Sequence, residues 1–345
     1  MPHVTANPWR KKGLGALVPS TDVSTVRALL AACPMHAETP LRVVPELAHR
    51  AGVAAVSIKD ERPRMGLGSF KALGAAYAIA REAADAAPDD MAHALTGRTF
   101  VTASAGNHGI SVAAGARVFG AKAVVYLSDT VPEAFAEKLR TTGAEVARAG
   151  ADYEASMVAA ANAAETYGWT LLSDSTWEGY THLPLLLMEG YLQLADEAAA
   201  QLDSPPTHIF LQAGVGGLAC AIAAYARKVW GDTPEIIVVE PEAAPALRDS
   251  IVAGRVVETT GPVSAMGRLD CKTPSLVALN GLARDADLFV TISEQEAADS
   301  MPVLAMLDLQ TTPSGGAGLA ALIAGMGLPS DAHVWGILSE GPEDA

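Results

Sequence analysis

Short apolar runs bounded by turn residues alternate along this chain with longer stretches whose apolar positions recur every three to four residues. The short runs predict strands over Ala54–Asp60, Thr99–Ala103, Ala123–Leu127, Glu145–Ala149, Thr170–Ser173, His208–Gln212, Glu235–Val239, Leu288–Ile292 and Val334–Leu338. The longer stretches predict helices over Ser69–Glu82, His108–Phe119, Pro132–Thr142, Tyr153–Tyr167, Pro184–Gln201 and Gly216–Val229. Strand–helix alternation of this kind predicts an α/β architecture with mostly parallel sheets. Ala87–Gly97 and Leu202–Thr207 are rich in Pro, Gly, Asp and Ser and read as loops. No repeat of solenoid length is present. At 345 residues the chain exceeds the size at which one core keeps growing, so two domains are expected. No long linker divides it, so the second domain is expected to be inserted into the first, with the middle third as its source.

Composition narrows the function. Half of the residues are hydrophobic and mean hydropathy is +0.22, enough for a large core. The formal net charge of −15 argues against nucleic acid and anionic membrane as partners, because no basic patch is available to neutralise phosphates. Cys33, Cys220 and Cys271 are odd in number and widely spaced, which suggests neither a disulfide framework nor a metal site. A reducing cytoplasm is the simpler expectation. The N-terminal segment MPHVTANPWRKKGLGALVP has no apolar run after its charges and predicts no signal peptide. Elsewhere Gly, Pro or charge interrupts every apolar run before the ~20 residues that a membrane span requires.

Ligands of α/β sheets bind at the carboxyl ends of strands, where loops enter helices. Four such junctions carry unusual residues. In Gly66-Leu67-Gly68-Ser69-Phe70-Lys71, Ser69 reads as an N-cap, placing Lys71 in a first helical turn where the dipole disfavours an ammonium. Such a lysine is ordinarily an exposed side chain; one condensed with an aldehyde escapes the conflict. Ser104-Ala105-Gly106-Asn107-His108-Gly109 exposes backbone N–H groups that suit an anion such as a substrate carboxylate, although alone it also reads as an ordinary helix start. Gln212-Ala213-Gly214-Val215-Gly216-Gly217-Leu218-Ala219 lets backbone wrap a phosphate. It equally fits the dinucleotide fingerprint G-x-G-x-x-A, with Glu240 near the place of a ribose-binding acid, so this segment alone leaves a dinucleotide-dependent oxidoreductase open. The fourth junction pairs Thr312-Pro313-Ser314-Gly315-Gly316 with Ser339-Glu340-Gly341, where Ser339 offers a neutral hydroxyl to a ring nitrogen or serves as a turn residue. Asp174, at another strand end, is an acid–base candidate or a cap.

In that order, Gly-Ser-Phe-Lys71, Ser-Ala-Gly-Asn107-His, Gly214-Val-Gly-Gly217 and Ser339-Glu-Gly resemble the fold-type II pyridoxal-phosphate (PLP) enzymes, of tryptophan-synthase-β type. The resemblance runs from about residue 40 to the C-terminus. Asp174-Ser-Thr-Trp177-Glu178-Gly179-Tyr180, LPLLLMEGYLQLADE and Val239-Glu240-Pro241 narrow it to the diaminopropionate ammonia-lyase group. Glu240 then belongs to a family motif and not to a ribose site.

The resemblance implies two three-layer α/β domains: a large PLP-binding one from residues 1–71 and 181–345, and a smaller mobile one from 72–180. It implies a homodimer and a small amino-acid substrate. Lys71 would hold PLP as a Schiff base and remove the Cα proton. Asn107 would meet the phenolic oxygen, Gly214, Val215, Gly216, Gly217 and Leu218 the phosphate, and Ser339 the pyridine nitrogen. Ser104, Ala105, Gly106, Asn107 and His108 would lie at the substrate carboxylate, with Asp174 on the β side. The implied reaction is β-elimination from an L-amino acid of 2,3-diaminopropionate type to a 2-oxo acid and ammonia, with a serine, threonine or 3-hydroxyaspartate dehydratase as the alternative.

Two positions depart from the family pattern. Relatives that also process the D-isomer carry aspartate where this chain has Ala105, which predicts action on L-substrates. Lys272, in Asp270-Cys271-Lys272-Thr273-Pro274, stands near a position that is acidic in the group; a cation there would favour an anionic β-substituent.

Overall fold

A computed structural model describes residues 1–342. Among these the chain runs β1 (His3–Ala6), α1 (Ser24–Ala31), β2 (Leu41–Val43), α2 (Pro45–Ala51), β3 (Ala55–Asp60), α3 (Lys71–Ala86), β4 (Thr99–Ala103), α4 (Asn107–Val118), β5 (Lys122–Leu127), α5 (Glu133–Thr142), β6 (Glu145–Arg148), α6 (Tyr153–Tyr167) and β7 (Thr170–Leu171). It continues α7 (His182–Gln201), β8 (His208–Gln212), α8 (Gly217–Trp230), β9 (Glu235–Pro241), α9 (Ala246–Ala253), α10 (Leu276–Asp285), β10 (Leu288–Ile292), α11 (Glu294–Met306), α12 (Ala317–Ala324) and β11 (His333–Leu338).

The strands form two sheets. Seven are ordered β1-β10-β9-β8-β11-β3-β2, and four are ordered β6-β5-β4-β7. Every pairing is parallel except at the two edges of the larger sheet, where β1 and β2 run antiparallel to their neighbours. The central strands β8, β9 and β11 are buried along nearly their whole length, as expected of strands covered by helices on both faces. With both sheets helix-covered and parallel in the middle, the fold is α/β, of the fold-type II kind. No helix among the described residues is long and apolar enough to cross a membrane.

The main core spans both sheets: Phe100 and Val125 of the small sheet join Ile209 and Val238 of the large one through α3, α4, α7 and α8. Helix α3 is the hinge of this arrangement, because it packs on α4 and on α7. It meets α7 at two glycines. A Cβ on Gly190 would fall 2.6 Å from the Leu73 carbonyl oxygen, and one on Gly74 2.6 Å from the Tyr191 ring. Only glycine allows these backbones so close.

Ahead of α3 lies a turn with three left-handed residues, Met65 (φ 50°), Gly66 (φ 69°) and Gly68 (φ 78°). Beneath it is a buried charged cluster. The Arg64 guanidinium donates to both oxygens of Glu61 (2.7 and 2.7 Å) and both of Glu197 (2.9 and 2.7 Å). Lys59 adds a second cation at 2.8 Å from Glu197. Arg64, Lys59 and Glu61 have no exposed surface, so the cluster depends on its two-plus, two-minus balance and on neutral partners such as Thr39 and Gln201.

Several boundaries differ from the sequence reading. Helix α3 starts at Lys71 with Phe70 at the cap position, so Ser69 is not the N-cap; its hydroxyl instead accepts from the Lys71 N–H at 3.2 Å. Strand β7 stops at Leu171, because Ser173 is drawn into the turn that follows. Strands β1 and β2 carry no readable pattern at four and three residues.

Candidate active site

Lys71 and Asp174 meet, with Nζ 2.5 Å from Oδ2 and each side chain 21% exposed. Burial acts against both charges, but each outweighs it for the other. Lys71 is held well above the usual lysine range, and Asp174, with His108 also near, well below the usual carboxylate range. Asp174 owes its place to the Trp177–Tyr180 turn. Gly179 supplies the left-handed residue (φ 85°), the two rings stack at 4.4 Å, and the Tyr180 hydroxyl accepts from the Ser173 N–H at 3.0 Å while donating to the Leu171 carbonyl at 2.8 Å. Thr176 pins the turn to the 271–277 loop through a 2.7 Å contact with Ser275.

This pair carries a testable expectation. In cofactor-free protein the depressed Asp174 contributes stability above its ordinary titration range and loses it as pH falls through the lowered value; the raised Lys71 contributes below its ordinary range. At neutral pH both contributions are present. Asp174→Asn is therefore expected to cost about 2 kcal/mol at pH 7, read as a lower thermal midpoint; equal midpoints would contradict the pairing.

The other predicted residues gather around this pair. Ser339 ends β11, is buried, and accepts the Phe70 N–H at 3.1 Å through its carbonyl, which ties it to the residue before Lys71. Its own hydroxyl makes only a 3.5 Å contact with the Gly315 carbonyl. Asn107 opens α4 and donates from Nδ2 to Glu340 Oε2 at 2.5 Å. In the preceding loop the Ser104 hydroxyl accepts from Gly106 N–H (3.2 Å) and Gly109 N–H (3.1 Å), which shapes the backbone around Ala105. His108 is buried and its Nε2 lies 2.8 Å from the Leu172 carbonyl, so Nε2 carries the hydrogen. Burial lowers its pKa and Nδ1 has no partner, so the ring is a neutral neighbour of Asp174.

The glycine loop sits at the N-terminus of α8. Gly216 is left-handed (φ 97°) and the first helical bond runs from Cys220 N–H to the Gly216 carbonyl, leaving the N–H groups of Gly217, Leu218 and Ala219 outside the helical ladder. A Cβ on Gly214 would come within 3.0 Å of Cys271 Sγ, and one on Gly216 within 3.0 Å of Leu247. Side chains are thus excluded where N–H groups converge, which suits a phosphate dianion. This cradle, the half-buried Lys71 and the weakly held Ser339 hydroxyl fit the three functional ends of PLP: phosphate, aldehyde and ring nitrogen.

The expectation for Lys272 is adjusted, and the place of Glu240 outside a ribose site gains its contacts. Lys272 gives its ammonium to the Ala243 and Pro262 carbonyls (2.9 and 3.0 Å) and to Asp270 (2.5 Å), so its charge is neutralised within its own loop. Glu240 is fully buried and caps α9, accepting from the Leu247 and Arg248 N–H groups at 2.7 and 2.8 Å; these contacts replace a ribose role.

Sequence reasoning missed Tyr191, Cys271 and Arg268. The Tyr191 ring stands 3.8 Å from where a Cβ on Gly217 would be, edge-on to Phe70. Burial, with Lys71 opposing, pushes its hydroxyl up to about 12. Cys271 is likewise pushed up to about 12 by burial, with Asp174 adding to it, and stays a thiol. Tyr191 lies in the apolar run LPLLLMEGYLQLADE, where every signal reads as helix core.

Comparison with known proteins agrees with this geometry. Residues 33–340 match the model of the family described as pyridoxal-phosphate dependent enzyme, and the chain belongs to that family. Its cofactor is pyridoxal 5′-phosphate. The chain is 36% identical over 324 residues to a diaminopropionate ammonia-lyase of Salmonella typhimurium, covering 87% of this chain and 80% of that one. It is 30% identical to the human L-serine dehydratase/L-threonine deaminase, over 84% of this chain and 83% of the other. A crystal structure of the Escherichia coli diaminopropionate ammonia lyase, in complex with an aminoacrylate-PLP azomethine reaction intermediate, superposes with a TM-score of 0.89 at 29% identity, covering 99% of this chain and 94% of that chain.

Proposed function

We propose that the protein catalyses β-elimination from L-2,3-diaminopropionate or a close analogue, giving, with one water consumed in hydrolysis, pyruvate and two ammonia molecules. The observation that carries this reading is the ionised Asp174 held against Lys71. An ionised carboxylate accepts and does not donate, so it is a poor acid for a hydroxyl leaving group. It is a good partner for a cationic β-amino group, which departs as neutral ammonia without a further proton.

The bound cofactor supplies the electron sink for the pair left on Cα. Lys71 takes the Cα proton as general base. Asp174 orients the β-amino group on the same side. The Gly214–Leu218 backbone holds the phosphate, Asn107 the phenolic oxygen and Ser339 the ring nitrogen. Ser104, Ala105, Gly106, Asn107 and His108 would surround the substrate carboxylate, with the first-turn N–H groups of Asn107 and His108 at the start of α4. Lys272, paired with Asp270, offers little to an anionic β-substituent, which argues against the 3-hydroxyaspartate alternative.

The family resemblance supports a homodimer, and the free thiols Cys33, Cys220 and Cys271 accord with the cytoplasm. Residues 72–180, which include all of the small sheet, form the candidate mobile domain. A substrate panel tests the reading. L-2,3-diaminopropionate is expected to exceed L-serine, L-threonine and the L-3-hydroxyaspartates in kcat/KM by ~100-fold or more. A hydroxyamino acid as the best substrate would sink the diamino reading and leave a dehydratase.

A further inference from the structure

Glu340 has no part in the chemistry above, yet several segments converge on it. Its backbone bridges antiparallel to Ser69, two residues before Lys71, and its carbonyl accepts from the Thr311 hydroxyl at 2.6 Å. Its side chain is 6% exposed and faces three donors. Oε2 accepts from Asn107 Nδ2 at 2.5 Å; Oε1 accepts from Arg268 Nη1 at 2.9 Å and from the Thr312 hydroxyl. Gly315 leaves room for it, since a Cβ there would fall 2.6 Å from Glu340 Cγ. These contacts join the start of α4 beside the small sheet to the end of β11 in the large one.

We propose that Glu340 is a positioning residue that sets the amide of Asn107 and latches the start of α4 to the end of β11. The inference rests on the reading that Asn107 meets the cofactor's phenolic oxygen. A carboxylate accepts and does not donate, so Asn107 must present Nδ2 to it and not Oδ1. Nδ2 has two hydrogens: one goes to Glu340, and the other is left to donate to the phenolic oxygen.

Glutamine cannot do the same. With its oxygen toward Arg268 and Thr312, its NH2 group meets the Asn107 NH2 group, and Asn107 must flip. Turned round, its NH2 group meets the guanidinium. Each orientation leaves a donor facing a donor, at a site that is nearly dry. Burial raises the titration of Glu340 above the ordinary carboxylate range and Arg268 opposes that shift, so the group depends on its cationic partner to stay ionised.

Glu340→Gln, Glu340→Ala and Asn107→Ala test the proposal by two readouts. The first is amide hydrogen exchange over residues 104–112 in cofactor-free protein. The second is absorbance titration with pyridoxal 5′-phosphate, followed by kcat and KM. Glu340→Gln is expected to exchange faster at the start of α4, to bind the cofactor ~10-fold more weakly, and to lose more in kcat than in KM. Wild-type exchange together with wild-type cofactor affinity in Glu340→Gln would overturn the proposal. Because glutamine preserves size, this variant decides the matter even if Glu340→Ala fails to fold. Should Asn107→Ala bind cofactor normally, the assignment of Asn107 falls; the exchange readout then still decides whether Glu340 latches α4.

Discussion

Lys71→Ala is expected to lower kcat by about 10³–10⁴-fold, measured as ammonia release, while the protein stays folded by circular dichroism. The fold should tolerate the change because Lys71 lies at the first position of α3, with its side chain reaching outward to Asp174 and not into the core. Catalysis should not, because no other basic side chain contacts Asp174 among the described residues. The neutral His108 is held by the Leu172 carbonyl, and Tyr191 and Cys271 keep their protons. The variant should also lose the absorbance of lysine-bound cofactor. Its Asp174 should titrate higher, since burial then acts without the opposing ammonium. Full ammonia release from Lys71→Ala would refute the role of this residue.

Arg64→Met is expected to destabilise the protein by about 3–5 kcal/mol, read from urea unfolding. The guanidinium bonds both Glu61 and Glu197, and without it two buried carboxylates are left with Lys59 as their one close cation among the described residues, beside neutral donors from Thr39 and Gln193. Arg64→Lys should rescue little, because one ammonium cannot make the paired contacts of a guanidinium fork. The cluster also predicts acid sensitivity. Burial raises the Glu197 carboxyl, but Arg64 and Lys59 outweigh it and hold the group down to about 2 from an ordinary 4.5. Its contribution is therefore full above the ordinary value and is lost as pH falls from there through about 2. An unchanged urea midpoint in Arg64→Met would mean that the cluster does not support the turn leading to Lys71.

What the sequence made legible follows from the physics of each element. Strands β8, β9 and β11 were readable because strands buried on both faces become continuous apolar runs. The edge strands β1 and β2 are too short, and too partly solvated, to show any period. The glycine loop and the Lys71 turn were readable because cofactor binding demands unusual residues at a strand end. Glu240 showed the opposite weakness: an acid at a strand end has the same appearance whether it caps a helix or binds a ribose. Lys272 failed as a charge signal because the sequence could not show Asp270 and two carbonyls closing on it. The roles of Tyr191 and Glu340 depend on contacts across more than 100 residues of chain, with Lys71 and Asn107 respectively, and the local pattern around Glu340 draws the eye to Ser339 instead.

We propose that Lys71 alone removes the Cα proton, from one face, during β-elimination. Ala105 carries no titratable group, and the Ser104 hydroxyl beside it is occupied by the Gly106 and Gly109 N–H groups. The most direct measurement is pyruvate and ammonia release from L- and D-2,3-diaminopropionate by the same holoenzyme preparation. Two ammonia molecules per pyruvate are expected from the L-isomer, at a rate ~100-fold or more above that of the D-isomer. Equal turnover of the two isomers would contradict it.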